Sequence, residues 1–350
     1  MAMNEPARAD GDKENERMTG KQSGNDRATG WGSGQTRLRY GVICALEELD
    51  QAYPVTLRGD IQSVTDAAAK AGFEAIELHI RDPLRYDGEV LKEAARSSGL
   101  SFAAISTGLE YMLNGLSLIS DDEGVRAGAL QRLKEHVDLA ERIECPTVII
   151  GSMRGNIPEA GADGFDGESP LSRHEVTNDP LLSRQMARQD IYDLYVGRLA
   201  DAVRELCDYA EGRGVSVCVE AINRKWTNYL CSVPETLRFV EQVGCPNFRI
   251  HIDTYQMSME GEDLGAATAL CAGRLGHVHF SDDNRRLPGE GGIDFLLVLK
   301  ALQEIGYSGY IVFETVGYPP GDSGTQAIQE SLEALLVNKP SANVSDQVEP

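Results

Sequence analysis

Four residues in the second half of this 350-residue chain have the types that a metal site uses: Glu220, Asp253, His279 and Glu314. Each stands at the end of a short apolar run, in VSVCVEA (215–221), FRIHIDT (248–254), LGHVHFS (275–281) and GYIVFET (309–315). Side chains alternate in an extended chain, so the residue two positions back shares a face. That pairs Cys218 with Glu220, His251 with Asp253, His277 with His279 and Val312 with Glu314, while the intervening Val219, Ile252, Val278 and Phe313 are all apolar. The four registers agree. Three carboxylates and an imidazole brought to one place repel each other and are costly to desolvate, and a divalent cation is the simplest resolution. Three oxygen donors with one nitrogen favour Mn, with Co or Mg as alternatives, over a structural Zn.

Such a set needs a scaffold that brings strand ends together. Four more apolar runs precede these: RYGVICA (39–45), FEAIELHI (73–80), SFAAIST (101–107) and PTVIIGS (146–152). Between the runs lie segments with helical spacing, several closed by a glycine (AKAGF, RSSGL, EQVGC, QEIGY). The segment DIYDLYVGRLADAVRELCDYAEGRG is one, with Leu194, Leu199, Ala202, Val203 and Leu206 on its apolar stripe. Eight strand and helix units predict a single-domain α/β fold, the (β/α)8 TIM barrel, over 37–336. A doubly wound sheet is the alternative, but no G-x-G-x-x-G follows the first strand. Residues 1–36 have almost nothing to bury and read as a disordered tail, with 337–350 a second tail. A Gly-, Pro-, Ser- and Asp-rich stretch, 153–189, is expected as a long loop after the fourth strand, a lid or an interface arm on the catalytic face.

The balance of 55 acidic against 33 basic residues, net −22, opposes nucleic acid as a partner. No apolar stretch reaches the roughly 18–20 residues of a bilayer crossing, and the N-terminal segment lacks the apolar core of a secretory signal. No membrane association is expected, and a cytoplasmic location is. Seven cysteines without a C-x-x-C pair read as free, mostly buried thiols.

The segments VEAINR (219–224), HIDTYQM (251–257), GHVHFSDDNRRLPGEGGIDF (276–295) and YIVFET (310–315) resemble the xylose-isomerase-like TIM-barrel superfamily of sugar phosphate isomerases and epimerases. Within it they look most like the ketose 3-epimerases of the tagatose and allulose type. The resemblance is densest over 215–320. It implies a sugar isomerase or epimerase with a divalent metal held by Glu220, Asp253, His279 and Glu314. Glu220 and Glu314 would double as the catalytic proton-transfer pair on opposite faces of a small carbohydrate. Arg285, six residues past His279, falls where such enzymes place an arginine on substrate oxygens. A homo-oligomer, dimer or tetramer, is the further expectation, with a hetero-subunit as an alternative. Two positions depart from that pattern: Gln256 stands where the epimerases carry a histidine, and Trp226 where they carry an acid. They leave room for keto-sugar or inosose-type dehydratases and C-glycoside deglycosidases, which remove the same kind of proton but expel a leaving group. A non-catalytic sugar-binding subunit and the metal-cluster endonuclease of this fold are the remaining alternatives, the latter opposed by only six histidines and the acidic balance.

Beside Arg285, the substrate-binding candidates are Gln256, Asn223, Trp226, Glu77 and His79. Glu77 and His79 share the inward face of their strand, because Ile76, Leu78 and Ile80 occupy the other; they make either a substrate contact or a bonded pair inside the barrel. His251 and His277 lie one layer below the metal and are expected to be buried with their hydrogen bonds satisfied. Arg224 is expected to pair with a surface acid, and Arg286 with Glu290. The turn NRRLPGEGG is a weak phosphate signal. Tyr255, like Trp226, is either an apolar wall against a sugar ring or core packing. His174 and Arg154, in the long loop, have no evident partner.

Overall fold

The computed structural model describes residues 37–50, 53–158, 180–318 and 321–337. Eight parallel strands pair in chain order: β1 (Arg39–Ala45), β2 (Ala75–His79), β3 (Ser101–Ser106), β4 (Thr147–Ile149), β5 (Ser216–Glu220), β6 (Phe248–Asp253), β7 (Leu275–Phe280) and β8 (Tyr310–Phe313). β8 returns to β1, with Arg39 opposite Tyr310 and Val42 opposite Phe313, and this pairing closes the barrel. A two-residue strand, Leu57–Arg58, extends β1 at its carboxyl end. All eight strands lie within the runs predicted from the sequence. The expected tails, most of the long loop (159–179) and His174 fall outside the described residues.

Outward-facing Val219, Ile252, Val278 and Phe313 are fully buried and join one continuous core between the strands and the helical ring. Each contributes roughly 1.5–3 kcal/mol on leaving water. The interior holds smaller groups, among them Ile43, Ala103 and Val312 in one cluster and Ile149 with Cys218 in another. Acidic side chains cap the helices that cover the barrel: Asp60, Asp87, Asp122, Asp263 and Asp294 each accept a backbone N–H in a first turn. The predicted stops at Gly72 and Gly244 hold because both take a left-handed backbone, φ 92° and 77°. The cysteines are free thiols, six of them buried. No helix among the described residues is long and apolar enough to cross a membrane.

Two expectations need correction. The long loop does not run to 189, since a helix, Pro180–Ala210, begins inside it; proline suits a first turn, and the following Leu, Arg, Gln, Met and Ala are good helix formers. On that helix Leu199, Val203 and Leu206 are buried as expected, but Leu194 is exposed because Tyr195 and Val196 face the core instead.

Two irregularities in the ladder set which side chains point inward. Ile250 pairs with Leu275 and the next pair is His251 with His277, so Gly276 is an extra residue on β7. Likewise Ile76 pairs with Phe102 and Glu77 with Ala104, leaving Ala103 extra on β3. A one-residue shift exchanges the two faces of a strand. The first bulge therefore turns His277 and His279 inward beside His251 and Asp253, and the second does the same for Ser106 beside Glu77.

Candidate active site

Glu220, Asp253 and His279 close β5, β6 and β7 at their carboxyl ends, and Glu314 follows β8 directly. One donor atom each from Glu220, Asp253 and His279 lies within 4.8 Å of the others. His279 Nδ1 stands 3.3 Å from Glu314 Oε2 and 3.9 Å from Asp253 Oδ2. Both His279 Nδ1 and Glu220 Oε1 are buried without a hydrogen bond. Buried polar atoms are almost always satisfied, so two that converge on carboxylates describe a cradle for a cation. The donor set fits a divalent metal. A second group, His251, His277 and His279, is equally close, but Glu77 already takes Nε2 of both His277 and His279.

Arg285 joins the cluster. Its Nη1 donates to Asp253 Oδ2 at 2.5 Å and to Ser281 Oγ at 3.1 Å, and its Nη2 to Glu314 Oε2. The guanidinium lies 4.7 Å over the Tyr255 ring, so Tyr255 supports Arg285. The Arg285 backbone has φ 62°, held by bonds to Asp282 and Val316. A non-glycine residue in that conformation costs of order 1–3 kcal/mol and persists only where its surroundings over-determine it.

The electrostatics divide the carboxylates. Burial, then Glu314 and Asp253, push the Glu220 carboxyl up to about 8. Burial and Glu314 also raise Asp253, against Arg285. For Glu314 burial acts upward, but Arg285 and then His279 hold it at about 2.

Comparison with known proteins places the chain in a family. Residues 65–336 match the family model described as the xylose isomerase-like TIM barrel. The chain belongs to that family. Among its relatives, the ketose 3-epimerase of Arthrobacter globiformis is 30% identical over 246 residues, 70% of this chain and 74% of that protein. The L-ribulose 3-epimerase of Mesorhizobium japonicum is also 30% identical over 246 residues, 70% of this chain and 72% of that protein. Among solved structures, the D-allulose 3-epimerase from Methylomonas sp. superposes with a TM-score of 0.65 at 22% identity, covering 86% of this chain and 97% of that one. The 3-keto-D-glucoside 4-epimerase from E. coli gives 0.64 at 20%, covering 86% and 100%. These structures share the fold, and the sequence relatives are sugar epimerases, which are isomerases.

The remaining candidates lie at different depths of this xylose isomerase-like barrel. Gln256 reaches the mouth from the helix Thr254–Met259, and its Oε1 accepts from the backbone N and the Nδ2 of Asn223. Trp226 is 58% exposed rather than core, its backbone tied to Asn223 and Asn156. His79 is buried, with neither ring nitrogen bonded. Glu77 is fully buried and accepts from Ser106 Oγ, His277 Nε2 and His279 Nε2. That carboxylate is fully buried among these three donors and does not bond His79. His277 is satisfied as expected; His251 is not, both its nitrogens being buried without a hydrogen bond. Its ring instead meets that of His279 edge-on, centroids 4.2 Å apart.

The loop residues divide into one that departs from its sequence reading, one that had none, and two arginines that find acids. Arg154 has partners after all: buried, it donates from Nη1 to the carbonyls of Glu220 at 2.7 Å and Leu230 at 3.3 Å, and so anchors the end of β5. Asp282 was not singled out, yet its carboxylate takes the backbone N–H groups of Asp283, Gly289 and Ile293. One amide of the glycine-rich turn, that of Gly289, and those of the flanking Asp283 and Ile293 are thus spent on a carboxylate. Arg286 makes the expected solvated pair with Glu290, whereas Arg224 pairs with Glu260, whose side chain is buried rather than a surface acid.

Proposed function

We propose that this chain is a divalent-metal-dependent sugar isomerase or epimerase that moves a proton on carbon beside a carbonyl. The observation that carries the reading is the convergence of Glu220, Asp253 and His279 at one mouth, with Glu314 Oε2 3.3 Å from His279 Nδ1 and two of the donor atoms buried without a hydrogen bond. In this reading those four residues hold the metal, Mn being favoured by three oxygens and one nitrogen. When bound, the cation supplies Lewis-acid polarisation of the carbonyl, which lowers the cost of charge on the neighbouring carbon.

The chain's own residues do the rest. Glu220 and Glu314 stand on β5 and β8, three strands apart around the mouth, so a ring or chain between them shows each a different face. One carboxylate removes the proton and the other returns it, which inverts the carbon. Arg285 neutralises charge that develops on the substrate oxygens. A backbone N–H can only donate, so Asn223 fixes the oxygen of Gln256 and leaves its amide NH2 for a substrate oxygen. His79, on the same strand face as Glu77 but nearer the mouth, takes a hydroxyl. A second reading, elimination from a keto-sugar, is favoured at one point: Gln256 hydrogen-bonds but exchanges no proton.

Deuterium wash-in tests both. The protein with Mn²⁺ in heavy water is mixed with ketohexoses, ketopentoses, their phosphates, keto-cyclitols and 3-keto-glucosides, and followed by NMR. The expected result is exchange at one carbon, abolished by chelator. Glu314→Gln should fold as the wild type and lose about 10²–10⁴ in exchange rate. A product that differs from the substrate in mass only by the deuterium taken up marks isomerisation, and loss of water or an aglycone marks elimination. No exchange across the panel with metal bound, or wild-type exchange in Glu314→Gln, overturns the reading.

A further inference from the structure

Glu77 comes from β2, across the barrel from the strands that supply the metal-site residues. It is fully buried, no Lys or Arg pairs with it among the described residues, and three side chains donate to it. His279 Nε2 sits 3.1 Å from its Oε1 and 3.0 Å from its Oε2. His277 Nε2 sits 2.7 Å from its Oε2, and Ser106 Oγ bonds its Oε1. An ionised carboxylate is an acceptor only, so each ring nitrogen that faces it carries the hydrogen. With Nε2 of His279 spent in this way, Nδ1 is the nitrogen that faces Glu314 and Asp253, and it is the one a cation would take once its proton is displaced.

We infer that Glu77 is the positioning residue of the metal centre: it fixes the tautomer and ring plane of His279 so that Nδ1 is presented to the cation. The inference rests on the metal reading of the previous section and extends it to a residue that acts through His279. The neighbourhood is built for the task. The bulge at Gly276 turns His277 and His279 inward, and the bulge at Ala103 turns Ser106 toward Glu77. The three imidazoles meet edge to face, with centroids 4.2–5.1 Å apart, so the His279 ring is held from the side as well as from its Nε2 end. A carboxylate behind a metal-bound histidine also makes the ring a stronger donor, and loss of such a partner typically costs 10–100-fold in metal affinity.

The test does not depend on turnover. Mn²⁺ is titrated calorimetrically into metal-free wild type, Glu77→Gln and Glu77→Asp, and the Co²⁺-loaded forms are compared by proton NMR. Wild type should bind one Mn²⁺, and its Co²⁺ form should show a strongly shifted, slowly exchanging N–H from His279. Glu77→Gln should bind Mn²⁺ roughly 10–100-fold more weakly, with that N–H lost or in fast exchange. Glu77→Asp keeps the charge one methylene further back and should fall between. Wild-type affinity together with a retained slow N–H in folded Glu77→Gln overturns the inference. If Glu77→Gln does not fold, Glu77→Asp decides alone: weakened affinity with faster exchange supports the role, and wild-type values in both overturn it. Absence of Mn²⁺ binding by the wild type would instead overturn the metal reading itself.

Discussion

Gly276 offers the sharpest test of how the metal-site strands are held. It is the extra residue of the β7 bulge, and a Cβ placed on it would lie 2.5 Å from Cys218 Sγ, 2.7 Å from Arg249 Cβ and 3.2 Å from Arg249 Cδ. Real Cβ atoms do not come that close to a neighbour. The sulfur can rotate, but the Arg249 Cβ is fixed to the β6 backbone, so Gly276→Ala must push β7 away from β6. Overpacking of this kind costs about 1–3 kcal/mol, and a clash against backbone-fixed carbon belongs at the upper end. At roughly 2 °C per kcal/mol, the low end of the range because this chain is larger than the domains it describes, a loss of about 3 kcal/mol should lower Tm by about 6 °C. Cys218→Ala added to Gly276→Ala removes only the sulfur contact and should recover less than half of the loss. Because His277 and His279 follow on the same strand, Mn²⁺ affinity should fall at least tenfold in the single variant. Calorimetric unfolding and metal titration give both numbers. Stability within about 0.5 kcal/mol of wild type with unchanged Mn²⁺ affinity would refute the claim that the bulge sets the register of the site.

Two further outcomes are expected. Mn²⁺ at about a hundred times its dissociation constant should stabilise the folded chain by about 2.7 kcal/mol, since it binds the native state alone; a Tm that chelator does not lower would count against a metal held by these residues. His136, buried in the helix Glu123–Arg142, has its pKa lowered from 6.5 to about 3, first by burial and then by Arg132. Its folded pKa lies below the unfolded one, so the stabilising neutral form is fully populated above pH 6.5, and stability falls by about 1.4 kcal/mol per unit as pH drops from there toward 3. His136→Leu should flatten that acid limb by one proton in urea unfolding between pH 6.5 and 5, and an unchanged slope would show that the ring is not held neutral.

What the sequence reveals about this site is the face of each residue, and what it conceals is the depth. Alternation places Glu220, Asp253, His279 and Glu314 inward because one face of each strand is wholly apolar, and β pairing honours that period of two. The same argument correctly puts Glu77 and His79 on one inward face, yet only the stagger of β2 against its neighbours decides that Glu77 is buried beside His277, two hundred positions away in the chain, while His79 lies nearer the mouth. Alternation alone would also set Leu275 with His277 and His279; Leu275 instead packs outward, because Gly276 absorbs one residue of register. A glycine within an apolar run is the one local sign of that bulge, and it says nothing about which partner the strand will meet. Arg154 and Asp282 escape for a related reason: each works by bonding backbone groups brought near it by tertiary structure, and such contacts leave no spacing to read. The residues that would touch the cation are therefore visible in the chain, whereas those that aim them become visible only once the barrel closes. Glu77 is the clearest case, since its chemistry is fixed by three donors, two of them on a strand that reaches it only through closure.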